Sequence, residues 1–129
     1  MDTLFTKIIH GEIPCHNIYE NDLFFSFLDI NPISLGHTLV IPKKEIDVFF
    51  ELEDELLSKI LTFSKPISKA IEQAVDCNRI GIMVAGLEVP HAHLHLVPIH
   101  STGELTFSNS RPMEQDKLAH IAKTIRSYL

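Results

Sequence analysis

A chain of 129 residues, 45% hydrophobic and 22% charged, has material for one domain with a substantial core and for no second one. Its net charge of −6 at pH 7 argues against binding nucleic acid along a row of phosphates, although one pocket can still be locally positive and take a small anion. No apolar stretch approaches the ~20 residues of a membrane span, the opening MDTLFTKIIHGE has neither the basic start nor the apolar centre of a signal peptide, and Cys15 and Cys77 form no C-x-x-C pair; a cytoplasmic protein with free thiols and no membrane contact is expected.

In chain order, Leu4–His10 reads as a short helical turn closed by Gly11. NIYEND and LFFSFLDI suggest two strands joined at Asn21-Asp22, a turn-prone pair, so a hairpin is the simplest arrangement. GHTLVIP (Gly36–Pro42) is a β-branched strand with a glycine before it and a proline ending it. In ELEDELLSKILTFSKPISKAIEQAV, Leu57, Ile60, Leu61, Ile67, Ile71 and Val75 recur at three- and four-residue intervals, the period of an amphipathic helix. Pro66 falls inside it, lacks a backbone N–H and crowds the preceding turn, so a kink or break is expected near Thr62–Lys65. RIGIMVA and HLHLVPI read as two further strands, and EQDKLAHIAKTIRSYL as a terminal helix presenting Leu118, Ile121, Ile125 and Leu129 on one face. The sum is an α+β domain: about five strands in an antiparallel sheet, with a long helix and a C-terminal helix on one side.

VPHAHLHLVPI places histidines at 91, 93 and 95. On a strand these three share one face while Ala92, Leu94 and Leu96 take the other. A solvated face is the plain alternative, but Thr, Lys or Glu would serve it better, and three neighbouring imidazoles repel one another when protonated. Two chemistries use such a row. H-x-H directs two nitrogens at one point, where His37 or His100 would complete a metal site with a place for water. Alternatively a neutral imidazole attacks phosphorus while its neighbours hold the phosphate oxygens and set its tautomer.

PHAHLHLVP resembles the signature of the histidine triad (HIT) superfamily. The N-terminal third is similar to that family's opening, with the blocks F-x-K-I-I-x-x-E-I-P, D-I-x-P and G-H-x-L-V-I-P-K in order, so the likeness runs from Leu4 to Ile99. The resemblance implies a HIT-like fold and a Hint/Fhit-like nucleotide hydrolase or transferase. Such an enzyme acts at the α-phosphate of a nucleoside phosphoramidate, a dinucleoside polyphosphate or a related purine (AMP-like) nucleotide. It also implies a homodimer and no cofactor. Carried over by position, His93 would be the nucleophile of a nucleotidyl-histidine intermediate, His95 would contact the phosphate oxygens, and His37 and His91 would make a supporting hydrogen-bond chain. Phe5, Ile8, Ile13, Phe27 and Ile30 would surround the base, and Asp29 would take the ribose hydroxyls. Asp29 also interrupts the apolar run FSFLDINP, where a carboxylate is costly unless something hydrogen-bonds to it.

The chain departs from the family pattern in places. MVAGLEVP sets Ala85 near a family asparagine and Glu88 near the hydroxyl residue that assists the leaving group. Thr3, Thr6 and Glu45 stand where some relatives carry a C-x-x-C and a histidine for structural zinc, so that zinc site is expected to be absent and no metal is assigned. Glu88, with its pKa raised by phosphate charge and partial burial, would be a candidate proton donor to the leaving group. A metal-dependent hydrolase using the H-x-H row, and a nucleotide-binding regulator with little turnover, are the competing readings. His10, His16, His100 and His120 read as surface residues, and Lys43 and Lys44 as solubilising charges.

Overall fold

The computed structural model describes residues 2–129. Helix α1 (Leu4–Ile9) starts at Thr3, whose hydroxyl accepts the Thr6 N–H at 3.1 Å, and it ends before Gly11 in the left-handed region. Strands β1 (Asn17–Glu20) and β2 (Phe24–Leu28) form the expected antiparallel hairpin. The Asn21 side-chain oxygen accepts the N–H groups of Leu23 and Phe24 at 2.9 and 2.8 Å, which closes the turn. Strand β3 (Thr38–Pro42), helix α2 (Asp54–Ala74), strands β4 (Arg79–Met83) and β5 (Leu94–Ile99) and helix α3 (Gln115–Arg126) complete the chain. All strand pairings are antiparallel, in the order β1-β2-β3-β5-β4.

Each face of the sheet has its own apolar cluster. Phe24, Leu28, Val40, Leu94 and Leu96 point toward α2 and α3, where they meet Ile60, Ile67, Ile71, Leu118 and Ile125. Burial of each such side chain stabilises the fold by about 1.5–3 kcal/mol. The alternate residues Phe25, Phe27, Leu39 and Ile41 pack with Phe5 and Ile8 of α1 on the opposite face. The two long helices therefore share one side, as the sequence suggested, and α1 covers part of the other. Gly36 lets β3 start beneath α2: its φ is +97°, and a Cβ there would lie 3.3 Å from both Ile71 and Val75.

Two expectations about the helices change. Helix α2 runs unbroken through Pro66, because Pro66 and Thr62 are both exposed, so the Thr62 carbonyl left without its donor is free to meet water. The buried stripe of α2 also differs: Leu56 and Phe63 face the core with Ile60, Ile67 and Ile71, whereas Leu61 is exposed. Leu129 lies past the end of α3 and is exposed.

Candidate active site

The histidine run is only partly strand. β5 begins at Leu94, and its last partner pair with β3 is Val40 with Leu94. β3 ends in Pro42, which brings no N–H to continue the ladder. The Pro42 carbonyl instead accepts from His91 Nε2 at 2.8 Å, and the Ala92 N–H turns to the Ile46 carbonyl at 2.6 Å. Ala92, Leu94 and Leu96 face the helix-side core as expected. The expected single row of three imidazoles is corrected: His93 and His95 line a cavity, while His91, 0% exposed, lies behind it against the edge of Phe5.

Hydrogen bonds assign the tautomers. The Ile33 N–H donates to His37 Nδ1 at 3.0 Å, so His37 carries its proton on Nε2 and donates it to His95 Nδ1 at 2.8 Å. His95 therefore keeps its own proton on Nε2. His93 has the opposite arrangement: its Nδ1–H donates to the His91 carbonyl at 2.7 Å, which leaves Nε2 with a free lone pair. Among the described residues no buried side-chain nitrogen or oxygen lacks a partner. The two unpaired Nε2 atoms must therefore be open to the cavity, one as an acceptor or nucleophile and the other as a donor.

Burial sets the charge state of this relay. Desolvation, reinforced by His95, pushes His37 down to about 3, and desolvation with the nearby His93 pushes His95 down to about 4. Both rings are neutral at physiological pH, as the relay requires. Burial also lowers His91, against the opposing influence of the Pro42 carbonyl and Glu45. Asp29 is raised, first by burial and then by Glu88, with its bond from the Asn31 N–H (2.8 Å) acting the other way. Its second oxygen lies 3.7 Å from His37 Nε2.

Asp29, His37 and His95 each offer a metal-ligating atom, all within 4.8 Å of one another. This is not the set expected from H-x-H, and His100 takes no part: it lies on the surface near Asp76 and Glu104. The fit to an ion is poor. His37 Nε2 and His95 Nδ1 share one proton at 2.8 Å, whereas two nitrogens on one tetrahedral zinc sit about 3.3 Å apart.

The cavity measures about 610 Å³, the size of a small-molecule site. Phe5, Ile8, Ile13 and Phe27 form an apolar end beside Leu39. Asp29, Ile30 and Asn31 line it from the loop after β2, and Ala85 to Val89 line it from the loop after β4, Glu88 among them. All the residues named from sequence for the base and ribose thus meet at one cavity, with His37 and His91 behind its wall. No lysine or arginine among the described residues lines it. Lys43 pairs with Glu20 at 2.7 Å, and Lys44 pairs with Glu53. Sequence reasoning missed Phe107, whose ring stands edge-on to His95 at 5.1 Å, and Cys15 and Ser110 in the lining. Only an aromatic residue isolated in a polar segment, Thr106–Arg111, marked Phe107.

The HIT domain family matches residues 10–102. An uncharacterized HIT-like protein of Borreliella burgdorferi is 35% identical over 133 residues, covering 96% of each chain. An adenosine 5'-monophosphoramidase of Schizosaccharomyces pombe is 39% identical over 99 residues, covering 76% of this chain and 74% of its own. A crystal structure of a HIT-like protein from Bartonella henselae superposes with a TM-score of 0.87 at 32% identity, covering 99% of this chain and 96% of the other.

Proposed function

Since the chain belongs to the histidine triad family, matching its HIT domain over residues 10–102, we propose that it is a nucleotide hydrolase or transferase acting at the α-phosphate through a nucleotidyl-histidine intermediate. The observation that carries this reading is the unpaired His93 Nε2, held as a lone pair by the bond from Nδ1–H to the His91 carbonyl. Nε2 attacks the phosphorus, the bond to the leaving group breaks, and the leaving group departs with that electron pair and takes up a proton. The Nδ1–H to carbonyl bond supports the positive charge that builds on the His93 ring, and the His95 Nε2–H donates to a phosphate oxygen. Water or another hydroxyl acceptor then attacks and releases its proton to solvent, the P–N bond breaks, and its electrons return to Nε2. The base lies in the apolar end and Asp29 accepts the ribose hydroxyls.

The charges around the cavity favour one leaving group. Apart from histidine and the Cys15 thiol, its titratable side chains are Asp29 and Glu88, and no described cation lines it. A polyphosphate chain would be repelled there, whereas a neutral or cationic amine would be accepted. We assign a purine nucleoside phosphoramidate as the substrate class, in keeping with the activity in the name of the fission-yeast relative. The test is turnover of adenosine phosphoramidates against dinucleoside polyphosphates, with mass spectrometry of the protein during turnover. Wild type should prefer the phosphoramidate and carry a nucleotidyl adduct, and His93→Ala should lose at least about a thousandfold in kcat with little change in nucleotide affinity. Residual activity within tenfold of wild type removes His93 from the role. A second, metal-dependent reading draws on Asp29, His37 and His95, and activity abolished by a chelator and restored by a divalent ion would favour it.

Pairing of two protomers belongs to the same reading. β4 is an edge strand with Ile82 53% exposed, and Val84 just beyond it is 42% exposed. That apolar edge is where a second copy would add its strand.

A further inference from the structure

His91 is the one histidine of the run whose ring no step of the proposed chemistry uses, although its carbonyl holds His93. It is fully buried and outside the cavity, yet both of its nitrogens are engaged. Nε2–H donates to the Pro42 carbonyl at 2.8 Å, so Nδ1 must accept, and its partner at 2.8 Å is the Thr3 hydroxyl. Thr3 does not act alone. Its N–H donates to Glu45 Oε1 at 2.7 Å, and the Thr6 hydroxyl donates to the same oxygen at 2.7 Å. The Thr6 N–H returns to Thr3 Oγ1 at 3.1 Å. These bonds, the Thr3 N–H first, hold the exposed Glu45 carboxylate below its usual range. The far end of the chain is the His91 carbonyl, which accepts the Nδ1–H of His93.

We infer that Thr3 is a positioning residue for the nucleophile: with Thr6 and Glu45 it locks the tautomer and place of His91, and through the His91 carbonyl it aims His93 Nε2 into the cavity. The inference rests on His93 being the nucleophile. The same short segment carries Phe5 and Ile8, which line the apolar end, and Phe5 stands edge-on to His93 at 5.0 Å. The wall that receives the base and the anchor that orients the attacking nitrogen are therefore one element. Removing the Thr3 hydroxyl leaves His91 Nδ1 facing only the Thr6 hydroxyl, which is 3.5 Å away and already donates to Glu45, so the ring must shift, change tautomer or draw Thr6 from Glu45 to recover a donor.

Thr3→Val and Thr3→Ser decide the matter, read by steady-state kinetics on an adenosine phosphoramidate and by nitrogen NMR of the imidazole tautomers. Thr3→Val should lower kcat about tenfold with KM changed less than twofold, and should move the His91 and His93 ring resonances; Thr3→Ser should restore both. Unchanged kcat, an equal loss in Thr3→Ser, or a His93 resonance that does not move in Thr3→Val would overturn the assignment. Should Thr3→Val fail to fold, Glu45→Gln, an exposed change that weakens the acceptor for Thr3 and Thr6, takes its place, with a smaller loss in kcat expected and no change in either kcat or the ring resonances as the overturning result. The spectra do not depend on turnover. A wild type without turnover or adduct refutes the functional reading, and the ring resonances still decide whether Thr3 holds His91 and, through it, His93.

Discussion

His93 and His95 are identical side chains two residues apart, and they differ in which ring nitrogen finds a partner. A carbonyl meets Nδ1 of one and a donor meets Nδ1 of the other, so one presents a lone pair to the cavity and the other a proton. Glu88 is the residue whose part in this division is open to direct measurement. It lines the cavity from the loop after β4, and it is exposed there rather than partly buried as the sequence suggested, because that loop lies outside the sheet. A Glu88 that hands a proton to the leaving group, instead of standing as the fixed negative charge that repels polyphosphate, predicts that Glu88→Gln loses on the order of a hundredfold in kcat with a poor amine leaving group and almost nothing with a good one. A loss of equal size for both leaving groups would return Glu88 to a purely electrostatic role.

At the scale of elements, α2 shows how far a local rule can be overridden. Twenty-one residues remain helical with a proline in the middle, because burial of Ile60, Phe63, Ile67 and Ile71 against the sheet outweighs the ~3 kcal/mol by which proline is disfavoured in a helix interior. That local cost has not vanished. Pro66→Ala gives the Thr62 carbonyl a donor on the solvent face and should stabilise the protein by about 1–2 kcal/mol, reduced from the full propensity difference by the greater freedom of the unfolded chain. Urea denaturation measures this directly, and an unchanged midpoint would mean that water already satisfies the carbonyl at no cost. A proline acts in the opposite sense on β3. Pro42 stops the ladder and so frees its carbonyl for His91.

For the whole molecule, the buried relay ties stability to pH. His37 and His95 remain neutral in the fold down to about 3 and about 4, whereas the unfolded chain protonates them as pH falls through ~6.5. Below that pH the unfolded state binds more protons, so stability is greatest above it and declines as pH falls, by up to about 1.4 kcal/mol per pH unit for each ring. The Tm should therefore drop by at least about 5 °C between pH 7.5 and 5, and His37→Asn should flatten the profile. A Tm that is level across this window would mean that the relay is charged in the fold. Asp29, raised by burial, works in the opposite sense, since the stability it contributes below its ordinary carboxylate pKa is lost as pH rises through its raised value in the fold. The proposed pairing of protomers is tested at the same scale. Light scattering should give twice the chain mass for wild type and the single-chain mass for Ile82→Lys, which sets like charges opposite one another on a shared edge. A wild type of single-chain mass refutes the pairing.

Much of this was legible from the chain, because the signals are local. The apolar run of β2 after the Asn21-Asp22 turn, the β-branched run of β3 between Gly36 and Pro42, and the three-to-four spacing in α2 and α3 depend only on neighbours in sequence. The HIT signature and the blocks before it marked the residues that converge on the cavity. What tertiary structure decided were relations between residues far apart in the chain. Whether His91 stands in a catalytic row or behind it depends on Pro42, 49 residues away. The tautomer of His95 depends on His37, 58 residues away, and through it on the Ile33 N–H. Thr3, plain in sequence except for what it replaces, gains its role from a contact spanning 88 residues. Residue types along a chain state which donors and acceptors exist, but a proton's place on an imidazole follows from which partner the fold brings within 3 Å, and only the packed chain fixes that.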